Sequence, residues 1–142
     1  MPRASLAAAE MVYDRARHEV ILFGGYDGSY LNDTWAWNSI TWTQLHPATS
    51  PPPRDTHSLV YDPASKTTIL FGGFNGHRLS DTWTWDGTTW TQLHPAFSPA
   101  QRAYGSLTYD QALHRLVLFA GSTGHTEPST IWEWNGTTWR RH

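Results

Sequence analysis

The chain lacks several features that would point to particular classes of protein. It contains no cysteine, which excludes disulfide bridges, thiolate zinc sites and cysteine nucleophiles. It has no run of 18 apolar residues that would span a membrane, and its 10 Lys and Arg against 12 Asp and Glu form no basic field for nucleic acid. The apolar run near the N-terminus is four residues long, too short for a signal peptide, so we expect a cytoplasmic location.

What the sequence does contain is a 48-residue pattern written three times. Repeats of this length are typical of solenoids and propellers. An aromatic-glycine motif opens the pattern, and a Trp-x-Trp pair and a third Trp follow it. The three copies of the motif are Phe23-Gly24-Gly25, Phe71-Gly72-Gly73 and Phe119-Ala120-Gly121, and the tryptophans are Trp35, Trp37 and Trp42, then Trp83, Trp85 and Trp90, then Trp132, Trp134 and Trp139.

Each copy predicts four short strands and no helix. In the middle copy we expect strands over residues 58–61, 67–71, 82–85 and 89–93. The alternation of Thr82 to Trp85 is typical of a strand, and Asp86-Gly87 predicts the hairpin turn that follows it. Because the connections are short, the four strands should pair as an antiparallel meander.

The repeat predicts blades stacked around an axis. A sheet with large apolar groups on both faces must be covered twice, and radial stacking in a β-propeller of typically about 4–8 blades does this. We expect one domain over residues 1–142, with blade 1 at about 1–46, blade 2 at about 54–94 and blade 3 at about 102–142. The Pro- and Ser-rich segments 47–54 and 95–102 are the expected crossovers.

The hydrophobic run into Gly-Gly, followed by spaced aromatics that end in Trp, resembles the kelch repeat over almost the whole chain. The resemblance implies an all-β fold of three four-stranded antiparallel kelch blades. Copy three departs most, with Ala120 for the first glycine, an extra residue near Pro128 and Ser129 where Asp33 and Asp81 stand. Copy one has Leu6 where the others have Arg54 and Arg102.

Three blades are too few to close a ring. An open arc would expose apolar faces at both ends, and exposed patches of that size mark interfaces. We therefore expect a homodimer in which blade 3 of each chain packs on blade 1 of the other, giving six blades. The alternative is that the chain is a fragment of a longer propeller.

The resemblance also implies a binding site at one mouth of the central channel. In related kelch domains the matching Arg and post-Gly-Gly aromatic positions bind peptide or protein partners there. A purely structural role for Arg54 and Arg102, bonding carbonyls at the blade junction, is the alternative. Transferred to this sequence, the candidate contact residues are Tyr26, Tyr30, Arg54, His57, Phe74, His77, Arg78, Arg102 and Tyr104.

The other conspicuous residues favour structural roles. The tryptophans recur inside strands, as packing between blades requires, and the eight histidines fall at turn and surface positions rather than converging as a zinc site would need. Asp33 and Asp81 repeat before Thr-Trp, which favours turn capping over acid–base chemistry. We therefore predict no catalytic residue, no metal site and no cofactor.

These observations favour a non-enzymatic binding or scaffold module that assembles into a closed propeller. Two alternatives remain at this point. The first is a half-propeller, duplicated or designed, that only assembles and binds no ligand. The second is a kelch-type lyase or isomerase. Since one fold hosts many functions, the choice depends on the site.

Overall fold

A computed structural model describes residues 1–3, 6–125 and 129–142. The described residues form three separate four-stranded antiparallel sheets and no helix, each sheet using four consecutive strands in chain order. The predicted all-β fold of three meanders is therefore confirmed. The extra residue expected near Pro128 lies outside the described residues.

Each blade consists of four strands. Blade 1 contains β1 (Glu10–Asp14), β2 (Glu19–Phe23), β3 (Thr34–Trp37) and β4 (Trp42–Leu45). Blade 2 contains β5 (Ser58–Asp62), β6 (Thr67–Phe74), β7 (Arg78–Trp85) and β8 (Trp90–Leu93). Blade 3 contains β9 (Ser106–Asp110), β10 (Arg115–Phe119), β11 (Trp132–Trp134) and β12 (Trp139–Arg141).

The last hairpin of each blade is fixed by one polar side chain. Asp86 Oδ1 accepts the backbone N–H groups two and three residues ahead, at 2.8 and 2.9 Å. Gly87 adopts a φ of +100°, which costs glycine little. Asn38 and Asn135 accept the same pair of N–H groups in the other two blades, so the turns predicted at these positions are confirmed.

The central hairpin of blade 2 is longer than the sequence predicts. After a register shift between Phe71 and Gly73, β6 continues to Phe74 and pairs with Arg78 at the start of β7. A Cβ on Gly72 would lie 2.7 Å from the carbonyl oxygen of Arg102, so the glycine lets the following blade pass close by. Because pairing resumes beyond this crossing, the hairpin carries Phe74 and Arg78 out past the blade core.

The first strand of each blade is innermost, since β1 contacts β5 and β5 contacts β9. Between the blades, Phe23 packs on Trp90 with ring centroids 5.1 Å apart, and Trp90 Nε1 donates to Thr34 Oγ1 at 3.0 Å. The equivalent residues of blades 2 and 3 repeat both contacts at 5.3 and 3.0 Å. The predicted packing role is therefore confirmed for the tryptophans of these two junctions, which are Trp83, Trp85, Trp90, Trp132, Trp134 and Trp139.

The same repeat positions are uncovered at the two ends of the arc. Phe119 is 45% exposed, whereas its counterparts Phe23 and Phe71 are 0% and 1% exposed. Trp42 on the outer face of blade 1 is partly exposed, whereas its counterpart Trp90 is 1% exposed. Each end of the arc therefore presents half of a junction that is complete elsewhere in the chain.

Candidate functional site

Four aromatic side chains lie together at the mouth of the arc, where the inner strands begin. Tyr26, Tyr30, Phe74 and Tyr104 form this group, called here the mouth cluster. The Tyr26 and Tyr30 ring centroids are 5.2 Å apart, and those of Tyr30 and Phe74 are 5.9 Å apart. Tyr26 is 40% exposed and Tyr104 is 72% exposed. Exposed aromatic side chains on a rigid frame are typical of interface hot spots.

A recess of about 370 Å³ opens beside the mouth cluster. Glu10, at the start of β1, contributes the recess's only carboxylate among the described residues, and burial raises the pKa of Glu10 above its usual value. Its walls carry one aromatic group from the mouth cluster and otherwise small and polar groups. The lining residues are Ala8, Glu10, Thr56, His57, Tyr104 and Gly105.

Asp55 also lies at the mouth, and the sequence analysis did not single it out. Burial raises the pKa of Asp55, although a hydrogen bond from the Thr56 hydroxyl at 3.2 Å opposes the rise. Partial desolvation raises the pKa of Tyr30, and the negative charge of Asp55 adds to that rise. Asp55 could have been identified in the sequence because it differs from the equivalent residues of the other two copies, which are alanines at positions 7 and 103.

Arg54, expected to contact a ligand, is fully buried and is used within its own blade. Its guanidinium donates to the carbonyls of Pro52 at 3.1 Å and Gly72 at 2.9 Å, and forks onto both carboxylate oxygens of Asp81 at 2.6 and 2.7 Å. Asp81 lies within β7 and also accepts Trp83 Nε1 at 2.6 Å, so its predicted turn-capping role is wrong. Burial opposes ionisation of Asp81, but the Arg54 hydrogen bonds and charge outweigh it and hold the pKa of Asp81 below its usual value.

Arg102 repeats the burial of Arg54 but not its ion pair. It is 3% exposed and donates to the carbonyls of Ala100 at 3.0 Å and Ala120 at 3.0 Å. Leu118 pairs with Trp132 as Leu70 pairs with Trp83, so this register puts Thr130, and not the Ser129 expected from the sequence, at the position of Asp81. No carboxylate of the described residues pairs with Arg102. Burial lowers the pKa of Arg102. Both arginines therefore bond carbonyls of their own blade and of the crossover that precedes it, and neither offers surface to a ligand.

His57 is buried as well, although its sequence neighbours lie at the mouth. It is 2% exposed, and its ring packs edge-on against Phe23 with centroids 5.5 Å apart. Burial lowers the pKa of His57 to about 3, the Arg54 charge adds to the shift, and the Phe23 backbone opposes it. His57 therefore forms the floor of the recess as a neutral ring.

Of the remaining predicted contact residues, Arg78 lies next to the mouth cluster and His77 is exposed on the adjoining loop. Arg78 lies over the Phe74 ring at 5.9 Å and donates to Ser122, through Nε to its carbonyl at 2.9 Å and through Nη2 to its hydroxyl at 3.3 Å. It thus links blade 2 to blade 3. The structure brings together Tyr26, Tyr30, Phe74, Arg78 and Tyr104 at the surface.

A larger recess lies elsewhere, on the outer rim between the second crossover and β12. It measures about 560 Å³ and is lined largely by apolar groups, including Phe97, Trp132 and Trp139. The mouth differs because carboxylates and aromatic rings converge there, and such convergence is what fixes a ligand's orientation. Within the described ranges there is no group of three or more metal-binding side chains and no helix long and apolar enough to cross a membrane.

A family model matches the chain over residues 15–142, and its description is KLHDC2/KLHL20/DRC7 Kelch-repeats domain. The matched range begins just after β1 and includes every later strand. No curated protein sequence matches the chain.

Proposed function

The chain belongs to the kelch-repeat family, and from this premise we propose that it binds a peptide or protein segment at the mouth cluster, without catalysing a reaction. Kelch-repeat domains generally serve as non-enzymatic, protein-binding scaffolds. The observation that carries the proposal is the exposure of Tyr26 and Tyr104 on a fixed backbone. β-Bridges hold the backbone of Tyr26, and the Tyr104 N–H donates to the Thr56 carbonyl at 2.9 Å. Aromatic side chains held this way lose little conformational entropy on binding.

The binding proposal is tested with a displayed library of random peptides selected on the purified chain. We expect the selected peptides to lose affinity for a Tyr26→Ala/Tyr104→Ala variant. Ile40→Ala is the control, because Ile40 is 83% exposed but lies on the outer hairpin of blade 1. Selected peptides that bind all three proteins equally would place the site elsewhere and refute the proposal.

We further propose that two chains close one six-bladed ring. The support is the internal repetition of the junctions. The outer face of blade 3 presents Phe119, and the outer face of blade 1 presents Trp42, at positions that meet in both internal junctions. A second copy supplies both missing halves at once, and a twofold axis makes the two new junctions identical.

The closing junction would differ from the internal ones in polarity. Ile131 stands where Thr34 and Thr82 accept a tryptophan N–H, so Trp42 would find no hydroxyl acceptor there. Glu133 lies on the same outer face and pairs with Arg115 at 2.7 Å and with His142 at 3.0 Å. A junction with fewer hydrogen bonds and more charge should be weaker, and we expect the dimer to dissociate reversibly on dilution.

Sedimentation velocity tests the assembly. The chain has a mass of 16.1 kDa, so a dimer of two chains sediments with twice that mass. Phe119→Asp should shift the equilibrium to monomer without unfolding the internal junctions. Gln92→Asp adds the same charge on the exposed outer strand of blade 2, away from both ends of the arc, and should leave the equilibrium unchanged. A single 16.1 kDa species at all concentrations would exclude the closed dimer.

A further inference from the structure

The mouth carries a carboxylate that the blade architecture does not require. Three equivalent β-bridges join the start of each blade to the residue after the glycine pair, and they link Ala7 with Tyr26, Asp55 with Phe74, and Ala103 with Ser122. Only backbone atoms make the bridge at Asp55, through two N–H···O bonds of 2.9 Å. Since alanine serves at the other two bridges, the Asp55 side chain is free to have another role.

Aromatic residues lie near this carboxylate. Phe74 is its bridge partner, Tyr30 contacts Phe74, and Tyr30 is close enough to feel the charge of Asp55 and the neighbouring Tyr104. The faces of aromatic rings carry negative potential and attract cations. Arg78 already shows this preference, since its guanidinium lies 5.9 Å from the centroid of Phe74.

The cations near the mouth are committed to other partners. Arg78 donates to Ser122, and Arg3 pairs with Asp27 at 2.6 Å. In the described part of the chain, Asp55 has no ion pair, and its carboxylate accepts hydrogen bonds from the Thr56 hydroxyl and its own backbone N–H. Its charge is therefore left uncompensated beside rings that favour a cation.

Two arginines near the mouth do not contribute positive charge to its surface. Arg54 and Arg102, which the family resemblance implies would contact a ligand, are buried against carbonyl groups. Apart from Arg78, which is held between Phe74 and Ser122, the charged groups of the described mouth and its recess are the carboxylates of Asp55 and Glu10. This pattern is complementary to a basic ligand and repels an acidic one.

We propose that the mouth cluster and Asp55 together bind an arginine or lysine side chain of an extended peptide. This inference rests on the proposed binding function and names its ligand class. The cationic group lies against the tyrosine rings, and its N–H groups donate to the Asp55 carboxylate. Arginine suits the site best, because a planar guanidinium can stack on a ring and fork onto a carboxylate at once.

The test is an NMR titration of the full chain with two blocked peptides, acetyl-Gly-Ser-Arg-Ser-Gly-amide and the same peptide with citrulline for arginine. Citrulline keeps the shape and loses the charge. We expect the arginine peptide to bind on the order of tenfold more tightly and to shift the resonances of the mouth cluster. Equal affinity for the two peptides, shifts outside the mouth, or no binding of the arginine peptide would each overturn the inference.

Variants assign the effect to particular side chains. Asp55→Asn removes the charge but keeps the backbone bridge, and we expect it to weaken the arginine peptide to about the affinity of the citrulline peptide. Glu19→Gln removes the same charge at the opposite end of β2 from the mouth and should change nothing. If library peptides need Tyr26 and Tyr104 but show no preference for arginine over citrulline, the binding function stands and the cationic ligand is refuted.

Discussion

The ion pair between Arg54 and Asp81 yields the sharpest prediction about stability. Asp81→Asn keeps the shape of the side chain and removes its charge. Arg54, with 0% exposure, would then keep its positive charge with only two carbonyls and an amide oxygen as acceptors. Breaking a buried pair in this way typically costs about 3–5 kcal/mol. Because the Asp81 side chain is 20% exposed and water can reach it, we expect the lower end, about 3 kcal/mol.

This loss is large compared with the total stability of a typical domain, about 5–15 kcal/mol. For a chain of this length it corresponds to a fall of roughly 10 °C in Tm. The assay is equilibrium unfolding in urea followed by tryptophan fluorescence, with circular dichroism for Tm.

The ion pair also predicts how the stability of the chain responds to acid. Since the pKa of Asp81 is lowered on folding, its stabilising contribution is present above the unfolded value, about 3.9, and is lost as pH falls below that value.

Asp33→Asn is the matched control. Asp33 has the same repeat position in blade 1, where Leu6 replaces the arginine, so its charge has no such partner. We expect this variant to differ from the wild-type chain by less than about 0.5 kcal/mol. If the two variants lost equal stability, the effect would belong to the repeat position and not to the ion pair, and the reasoning would be refuted.

Three further predictions concern the blade junctions. Gly87→Ala should lower Tm more than Gly136→Ala, although both glycines have a φ of +100°. The reason is that a Cβ at Gly87 would overlap the Arg17 guanidinium, which bonds two carbonyls of blade 2. Equal losses of Tm, or a difference that persists in an Arg17→Ala background, would contradict this explanation. Thr82→Val should cost about 1–3 kcal/mol in urea unfolding, because it leaves a buried tryptophan N–H without its acceptor; a neutral result would count against the hydrogen bond. Burial lowers the pKa of His57 to about 3 in the folded chain, whereas in the unfolded chain the histidine pKa is about 6.5. Below pH 6.5 the unfolded chain therefore binds more protons, and the free energy of unfolding should fall as the pH drops. A His57→Leu variant whose stability fell equally steeply would refute the assignment to His57.

The repeat made the fold predictable because each blade is encoded locally. The glycine pair, the Trp-x-Trp alternation and the turn at Asp86-Gly87 all lie within one 48-residue unit. The extended hairpin of blade 2 was not predictable in the same way. Its pairing resumes beyond Gly73, where the backbone of Arg102 from the next blade passes against the glycines. In blade 1 the backbone of Arg54 passes the equivalent glycines, but β2 ends at Phe23, so the repeat pattern does not predict the length of this hairpin.

The candidate site was only partly predictable. The aromatic positions after Gly-Gly could be found from the sequence, since Tyr26 and Phe74 hold equivalent places in the repeat. The burial of Arg54 could not, because the carboxylate that it pairs with is 27 residues away. Asp55 was not predicted because it does not repeat, since alanine stands at positions 7 and 103. The repeated residues of this chain mark the architecture, and a binding residue can stand where one copy differs from the others.

Every sheet in the described chain is completed by strands of its own repeat. No blade borrows a strand from a neighbour, and contacts between blades run through side chains and a few backbone bonds at their edges. In the proposed dimer, the two chains could therefore separate and exchange partners without breaking a sheet, in contrast to a ring closed by a shared strand. Because each sheet is independent, adding or removing one 48-residue repeat would change the number of blades and leave the remaining sheets intact.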